Sequence, residues 1–198
     1  MNIHIIIFNF LCIKMTKIYK GALNELSSVF EKIDDEQVDK AIDIIAKSNK
    51  IVVFAGGREK LQIMGFAMRL FHMGLNISVE GDMTTPPVRK GDLFIASVGT
   101  GYISTALALM EVAKKAGAST LMITAQPSGK CAKFADFILN LPAQTMADDQ
   151  GEKKTSILPM GSLFEGSLFI LFEVMVLKLI DKLNIDSDFM RSNHTNLE

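Results

Sequence analysis

The sequence predicts an α/β protein built on a doubly wound, five-stranded parallel sheet flanked by helices, with N-terminal helices and a long C-terminal helix. Short runs that are apolar at nearly every position recur along the chain, as in strands buried on both faces of a sheet. Segments with apolar residues at helical spacing separate these runs. Two of the runs end in glycines. Strands and helices that alternate in this way imply right-handed crossovers.

Two helices are predicted before the sheet. Apolar residues recur at helical spacing from Lys17 to about Phe30. Asp34 and Asp35 can then cap a second helix, because a side-chain oxygen at this position accepts a hydrogen bond from the first turn. The apolar period of the residues that follow agrees with this second helix.

Five strands and the helices around them complete the prediction. The strands are IVVFAG (51–56), NISVEG (76–81), LFIASV (93–98), STLMITA (119–125) and FILNLP (137–142). Helices are expected at about 60–72, 104–116 and 161–183, with a short helical turn at 130–135. Residues 143–158 are polar and aperiodic, so they are expected to form a loop or a crossing segment. The helix at 161–183 is apolar nearly all round, which favours burial against another subunit and hence a homo-oligomer.

Length and composition exclude several classes of function. The chain has 198 residues, of which 48% are hydrophobic, and a net charge of −1, so it fits one globular domain. A charge near zero gives no general attraction to nucleic acid or to an anionic membrane. Cys12 and Cys131 lie far apart without metal-ligand spacing, which predicts no metal site and reduced, cytoplasmic thiols.

Residues 1–14 differ in composition from the rest of the chain. The stretch from Ile3 to Ile13 is apolar but shorter than the roughly 20 residues needed to span a bilayer. It also lacks the cationic start and cleavage site of a secretory signal. We interpret 1–14 as a non-native or mis-started extension, in preference to an anchor, and 15–198 as a single domain.

A glycine-containing turn follows the third strand. Gly99 and Gly101 let the backbone approach a ligand closely, and the amides from Thr100 to Ile103 would point outward at a helix N-terminus, which favours phosphate. The hydroxyls of Thr100 and Ser104 can add donors. A plain strand-to-helix turn explains the same spacing equally well.

Three further residues are candidates for the site, each with a simpler alternative. Arg58 directly follows the first strand, where it can bind a phosphate or a sugar hydroxyl, although an ion pair with Glu59 is the favoured interpretation without context. Glu165 lies in the first turn of an apolar helix, either for the helix dipole or as a carboxylate with a raised pKa that moves protons. His194 lies in the tail, where a histidine is usually solvated.

Several motifs resemble one family. The chain contains FAMRLFHMG (66–74), TPP (85–87), KGD (90–92), PMGSLFE (159–165) and HTNLE (194–198). With these it resembles the sugar isomerase (SIS) domain family, and within it the 6-phospho-3-hexuloisomerases, over residues 15–198. The resemblance implies an SIS-type, flavodoxin-like fold and interconversion of D-arabino-3-hexulose 6-phosphate and D-fructose 6-phosphate through a cis-enediol. It also implies a cytoplasmic homotetramer without metal or cofactor.

The same resemblance implies roles for two residues. The glutamate of the family's GSLFE motif, its proposed base, falls on Glu165. The histidine of its terminal HANLE motif falls on His194, which would help to open the sugar ring or handle hydroxyl protons, from a neighbouring subunit if the tail reaches across. These two assignments make Glu165 and His194 the candidate catalytic residues.

The expected phosphate loop departs from the family pattern. Where the family reads SGSGET, this chain has Val98, Gly99, Thr100, Gly101, Tyr102 and Ile103. Where the family reads GRSG after the first strand, Glu59 replaces the serine. A carboxylate at about 4 Å from a phosphate costs roughly 1–4 kcal/mol, which Lys60 would offset in part by pairing with Glu59 or by reaching the anion itself. We therefore predict an altered site for a phosphosugar, with Arg58, Glu59 and residues 99–104 as its substrate-binding residues.

Three functions follow from these observations. The first is a phosphosugar isomerase with Glu165 and His194 in catalysis. The second is a non-catalytic SIS module that senses a sugar or phosphosugar, motivated by Glu59 and Tyr102. The third is a structural or membrane-associated subunit, for which the apolar leader is the sole support.

Overall fold

The computed structural model describes residues 3–197 of the chain, with side chains from residue 17 onward. Its helices are α1 (Ile3–Phe30), α2 (Asp35–Lys47), α3 (Glu59–His72), α4 (Ser104–Lys115), α5 (Ser162–Leu183) and α6 (Ser187–Ser192). Its strands are β1 (Ile51–Ala55), β2 (Ile77–Val79), β3 (Leu93–Ser97), β4 (Ser119–Thr124) and β5 (Phe137–Asn140). Two short 3-10 helices lie at Lys130–Phe134 and Gly151–Lys153.

The five strands form one parallel sheet in the order β2-β1-β3-β4-β5. Ile51 of β1 pairs with Ile77 of β2 on one side and with Leu93 of β3 on the other. The chain therefore leaves β1 in one direction to form β2 and returns past it to form β3, which is the doubly wound arrangement. The predicted fold class is confirmed.

Alternate residues of the central strands supply the cores on the two faces of the sheet. Val53 and Ile95 pack with α2, α3 and α5 in the larger core, whereas Phe54 and Ala96 pack with α4 in the smaller one. A strand that is buried on both faces needs an apolar residue at every position. This requirement explains why β1 and β3 read as unbroken apolar runs.

Helices α3 and α5 run side by side on the larger face. The rings of Phe66 on α3 and Phe172 on α5 stack with centroids 4.5 Å apart and planes 8° from parallel. Arg69 on α3 also pairs with Glu173 on α5, with 3.5 Å between Nε and Oε1. These contacts place the first turns of both helices next to each other, at the carboxyl edge of the sheet.

The predicted start of the first helix needs correction. The first helix begins at Ile3, not Lys17, because no proline or glycine interrupts the apolar stretch before Lys17. The prediction that 1–14 is a non-native extension stays untested; residues 1 and 2 lie outside the described part, as do the side chains of 3–16. Among residues 3–197, no helix combines the length and hydropathy needed to cross a membrane.

Most of the apolar surface of α5 is covered by the chain itself. Leu168, Leu171 and Met175 are fully buried against the other helices and the sheet, while Phe169 and Leu177 stay exposed. The all-round apolar pattern of α5 therefore reflects burial within one subunit more than burial between subunits. The apolar pattern of α5 therefore does not by itself indicate a homo-oligomer.

The C-terminal segment folds back to the opposite edge of the sheet. Asp186 caps α6 by accepting a hydrogen bond from the amide of Phe189 at 2.8 Å. Asn193 Nδ2 donates to the carbonyl oxygen of His72 at 3.0 Å, and the ring of His194 lies 5.1 Å from that of His72. His72 is the last residue of α3, so the tail lies at the end of α3 that is remote from the carboxyl edge.

Candidate active site

A cavity of about 340 Å³ lies at the carboxyl ends of β1 and β3. Its size falls within the range of roughly 300–1,000 Å³ that is typical of small-molecule sites. The strand order reverses between these two neighbouring strands, which is where doubly wound sheets bind ligands. The cavity is lined by Gly56, Gly57, Arg58, Glu59, Thr100, Ile103, Thr145, Met146, Met160, Gly161, Phe164 and Glu165.

Glu165 enters the cavity from the first turn of α5. Gly161 precedes this helix with a left-handed backbone, φ +78°, and a side chain there would meet the amide nitrogen of Met146 at 2.9 Å. Glycine is therefore required for the chain to turn into α5 at this point. Burial raises the pKa of the Glu165 carboxyl, and the positive charge of Arg58 partly opposes that rise.

Arg58 joins the loop after β1 to the start of α5. Its Nη2 lies 2.9 Å from Oε2 of Glu165, its Nη1 donates to Ser162 Oγ at 3.1 Å, and Nη2 also donates to the carbonyl oxygen of Met160. The favoured sequence interpretation, a pair between Arg58 and Glu59, is wrong in this structure. The arginine instead holds Glu165 in position at the cavity wall.

Glu59 also lines the cavity, and its carboxylate accepts hydrogen bonds from the end of β3 and from the turn that follows β3. Its Oε2 accepts from Ser97 Oγ at 2.6 Å, and its two oxygens share the Gly99 amide at 3.1 and 3.2 Å. Burial raises the pKa of Glu59, these hydrogen bonds lower it, and the charge of Glu165 raises it further. Lys60 does not pair with Glu59 as expected, since its Nζ lies 3.4 Å from the carbonyl oxygen of Glu80.

The turn after β3 presents a row of amide donors. Among the described residues, the amides of Tyr102, Ile103, Ser104 and Thr105 donate to no other group. The start of α4 has no side-chain cap, so its partial positive charge stays available to an anion. Of the predicted donors from Thr100 to Ile103, the amide of Gly101 is taken, because it donates to the carbonyl oxygen of Val98 at 2.9 Å. The preceding amide, that of Gly99, donates to Glu59.

Gly101 is required by the shape of this turn. It has φ +76°, and a side chain there would meet Gln126 Cβ at 2.7 Å and Gly129 Cα at 3.0 Å. Tyr102, which could have blocked the amides, is 45% exposed and its ring lies 4.9 Å from the Nζ of Lys130. The tyrosine therefore packs toward the outside of the turn.

The structure brings together some of the predicted site residues and separates others. Arg58, Glu59, Thr100, Ile103 and Glu165 line one cavity. The remaining residues of the turn, which are Gly99, Gly101, Tyr102 and Ser104, shape its backbone without lining the cavity.

His194 does not join the cavity within one chain. It contacts His72, and the length of α3 separates that end of the helix from Glu59 by about 20 Å at 1.5 Å per residue. Glu198, the last residue of the predicted terminal motif, lies outside the described residues.

Sequence reasoning missed part of the cavity wall. Thr145 and Met146 follow β5 in the segment that was predicted to be a loop or a crossing segment, and Met160 and Phe164 lie on either side of Gly161. The position of 143–146 after a predicted strand could have identified them, because ligands bind beyond the carboxyl ends of such strands. Among the side chains that the structure describes, from residue 17 to residue 197, no cluster of three His, Cys, Asp or Glu is arranged to hold a metal ion.

A doubly wound sheet with a ligand cavity at its switch point defines an α/β protein of the small-molecule-binding class. The chain belongs to the SIS domain family, whose model matches residues 44–164. It is 36% identical to 3-hexulose-6-phosphate isomerase of Bacillus subtilis over 93% of this chain and 100% of that protein. It is also 34% identical to 3-hexulose-6-phosphate isomerase of Mycobacterium gastri, over 88% of this chain and 87% of the relative.

A solved structure supports the same grouping. The fold is similar to that of a Methanococcus jannaschii protein with a TM-score of 0.79 and 28% identity, over 92% of this chain and 99% of that one. The crystal structure of that protein was described as inferring a molecular function of 3-hexulose-6-phosphate isomerase.

Proposed function

We propose that this protein is a phosphosugar isomerase that interconverts D-arabino-3-hexulose 6-phosphate and D-fructose 6-phosphate. The observation that carries the proposal is the position of Glu165, a partly buried carboxylate that lines a cavity beside the amide donors of the α4 N-terminus. Both named relatives at 34–36% identity act, by name, on 3-hexulose 6-phosphate.

The chemistry requires a base within reach of one sugar carbon. The two sugars differ in whether the carbonyl lies at C3 or at C2, so one proton must move between these carbons through a cis-enediol. The phosphate binds the amides at the start of α4, and Glu165 carries the carbon proton. Arg58 favours the ionised form of Glu165, against the effect of burial, and orients it toward the cavity.

We further propose that the working form is a homotetramer in the cytoplasm, with His194 of the partner subunit completing the site. Helix α3 exposes an apolar stripe along its whole length, formed by Leu61, Met64, Met68 and Phe71. If two copies pack these stripes antiparallel about a two-fold axis, the end of α3 in one copy approaches the start of α3 in the other. The tail histidine, which lies at that end, is thereby brought toward a cavity and can open the ring of fructose 6-phosphate.

An isomerisation assay with both sugars tests the proposal. Wild type should convert each sugar into the other, and Glu165→Gln should lower kcat by about 10²–10⁴-fold, the usual contribution of a positioned acid–base group. Glu173→Gln is the matched control, because Glu173 lies on the same helix and is absent from the cavity wall. Binding of either sugar without turnover by wild type would instead support a sensing module.

A further inference from the structure

A second carboxyl group faces Glu165 across the cavity. Glu59 precedes Phe66 on α3 by seven residues, and Glu165 precedes Phe172 on α5 by the same interval. Seven residues are about two helical turns, so each glutamate lies on the face of its helix that carries the stacked phenylalanine. Because these rings stack 4.5 Å apart, the two carboxyl groups lie on facing sides of neighbouring helices.

The isomerisation needs two kinds of proton movement. One proton moves between carbons, and a second must move between the two adjacent oxygens as carbonyl and hydroxyl exchange places. A carboxyl group that carries the first proton is poorly placed to carry the second at the same time. A separate acid–base group near both oxygens removes this conflict.

We propose that Glu59 carries the oxygen proton while Glu165 carries the carbon proton. This inference rests on the proposed function, since it assigns a second acid–base group to the same reaction. It also gives a role to a residue that stands where the family has a serine.

With 3-hexulose 6-phosphate as substrate, the two glutamates exchange protons with the sugar in the following order. Glu165 takes the proton from C2 as Glu59 donates its proton to the C3 carbonyl oxygen, which forms the enediol. Glu59 then takes the proton from the C2 hydroxyl, and Glu165 returns its proton to C3. Both side chains regain their starting protonation states and fructose 6-phosphate leaves.

The surroundings of the two carboxyl groups favour Glu165 as the base and Glu59 as the acid. Arg58 pairs with Glu165 and favours its ionised form, whereas no cation among the described side chains pairs with Glu59. Burial and the charge of Glu165 raise the pKa of Glu59, against the bonds from Ser97 and Gly99. Neighbouring groups whose pKa values are pushed apart can act as base and acid in one site.

Other candidates for the oxygen proton are less well placed. Lys60 extends to the carbonyl oxygen of Glu80, and Arg58 is held by Glu165 and Ser162. His194 of the same chain lies at the far end of α3. Within one subunit, Glu59 is the acid–base group that shares the cavity with Glu165.

Steady-state kinetics as a function of pH tests the inference on the full-length protein. Glu59→Gln should lower kcat by about 100-fold or more while KM changes by a few-fold, and should abolish the high-pH limb of the kcat profile. Glu59→Asp should regain part of the rate and the limb. Glu80→Gln, on the neighbouring loop, is the matched control and should behave like wild type.

A second variant separates chemistry from structural support. Ser97→Ala removes a hydrogen bond that stabilises the ionised form of Glu59, so the high-pH limb should move to higher pH. The inference is overturned if Glu59→Gln keeps kcat within threefold of wild type, or if its high-pH limb persists while His194→Ala loses that limb. Turnover that depends on Glu165 and not on Glu59 refutes this inference alone, whereas turnover indifferent to both refutes the proposed function as well.

Discussion

The guanidinium of Arg58 lies 2.9 Å from the carboxylate of Glu165 and joins the loop after β1 to the first turn of α5. Arg58 is half exposed, whereas only 17% of the Glu165 side chain is accessible. The pair therefore sits at the mouth of the cavity, with the carboxylate on the inner side. Because burial raises the Glu165 pKa and Arg58 partly opposes that rise, the arginine extends to lower pH the range in which Glu165 is a base.

Arg58→Ala should move the acid limb of the pH–rate profile to higher pH. Burial raises the pKa of Glu165 and Arg58 lowers it, so removal of the guanidinium leaves the rise unopposed. Activity needs the ionised carboxylate, which then forms at higher pH. Initial rates with fructose 6-phosphate over a pH series give the limb directly.

Arg58→Lys is the control for this prediction. It keeps the charge and loses the forked geometry that joins Glu165 to Ser162, so its acid limb should move less than that of Arg58→Ala. An unchanged limb in Arg58→Ala, or one at lower pH, would contradict the role assigned to the pair.

Gly101→Ala should destabilise the fold. The residue has φ +76°, and an alanine Cβ would approach Gln126 Cβ to 2.7 Å. The left-handed backbone alone costs about 1–2 kcal/mol for an L-residue, and the contact adds to this cost. The free energy of unfolding in urea measures the effect.

Gly65→Ala is the control for Gly101→Ala. Gly65 lies inside α3 and nothing stands within 4 Å of the position of an added Cβ. Replacement there should stabilise the protein by roughly 0.5–1 kcal/mol through helix propensity. Equal effects of the two substitutions would contradict the account of the turn after β3.

The double substitution Met64→Glu and Met68→Glu should dissociate the proposed oligomer. Both side chains are about half exposed on the apolar stripe of α3, and charges there oppose burial between subunits. Light scattering after gel filtration should show a smaller particle, and activity should fall because His194 no longer reaches a cavity. Val112→Glu, at an exposed position of α4, should leave the mass unchanged. An intact oligomer in the double variant would exclude this interface.

The centre of the sheet was predictable because its strands β1 and β3 are buried on both faces. Residues 51–55 and 93–97 are buried at every position, so the unbroken apolar runs specify them without knowledge of the partners. The helix before β1 was predictable from its cap, since Asp34 accepts a hydrogen bond from the amide of Glu36 at 3.0 Å.

The partners of the site residues were not predictable in the same way. Arg58 pairs with Glu165 because α3 and α5 start at the same edge of the sheet. No local sequence pattern indicates this ion pair. Adjacent residues favoured a pair between Arg58 and Glu59, but the helix turns Glu59 toward Ser97. Likewise, the sequence could place His194 in the tail without showing which end of α3 the tail contacts.

The most direct test of the central claim is the conversion of 3-hexulose 6-phosphate in heavy water, followed by nuclear magnetic resonance of the product. Wild type should form fructose 6-phosphate that carries deuterium at C3 in part of the molecules, because the carbon proton passes through Glu165. Glu165→Gln should form product at least 100-fold more slowly, while Glu173→Gln should match wild type. Product formation at the same rate by Glu165→Gln and wild type would contradict the claim that Glu165 moves the carbon proton.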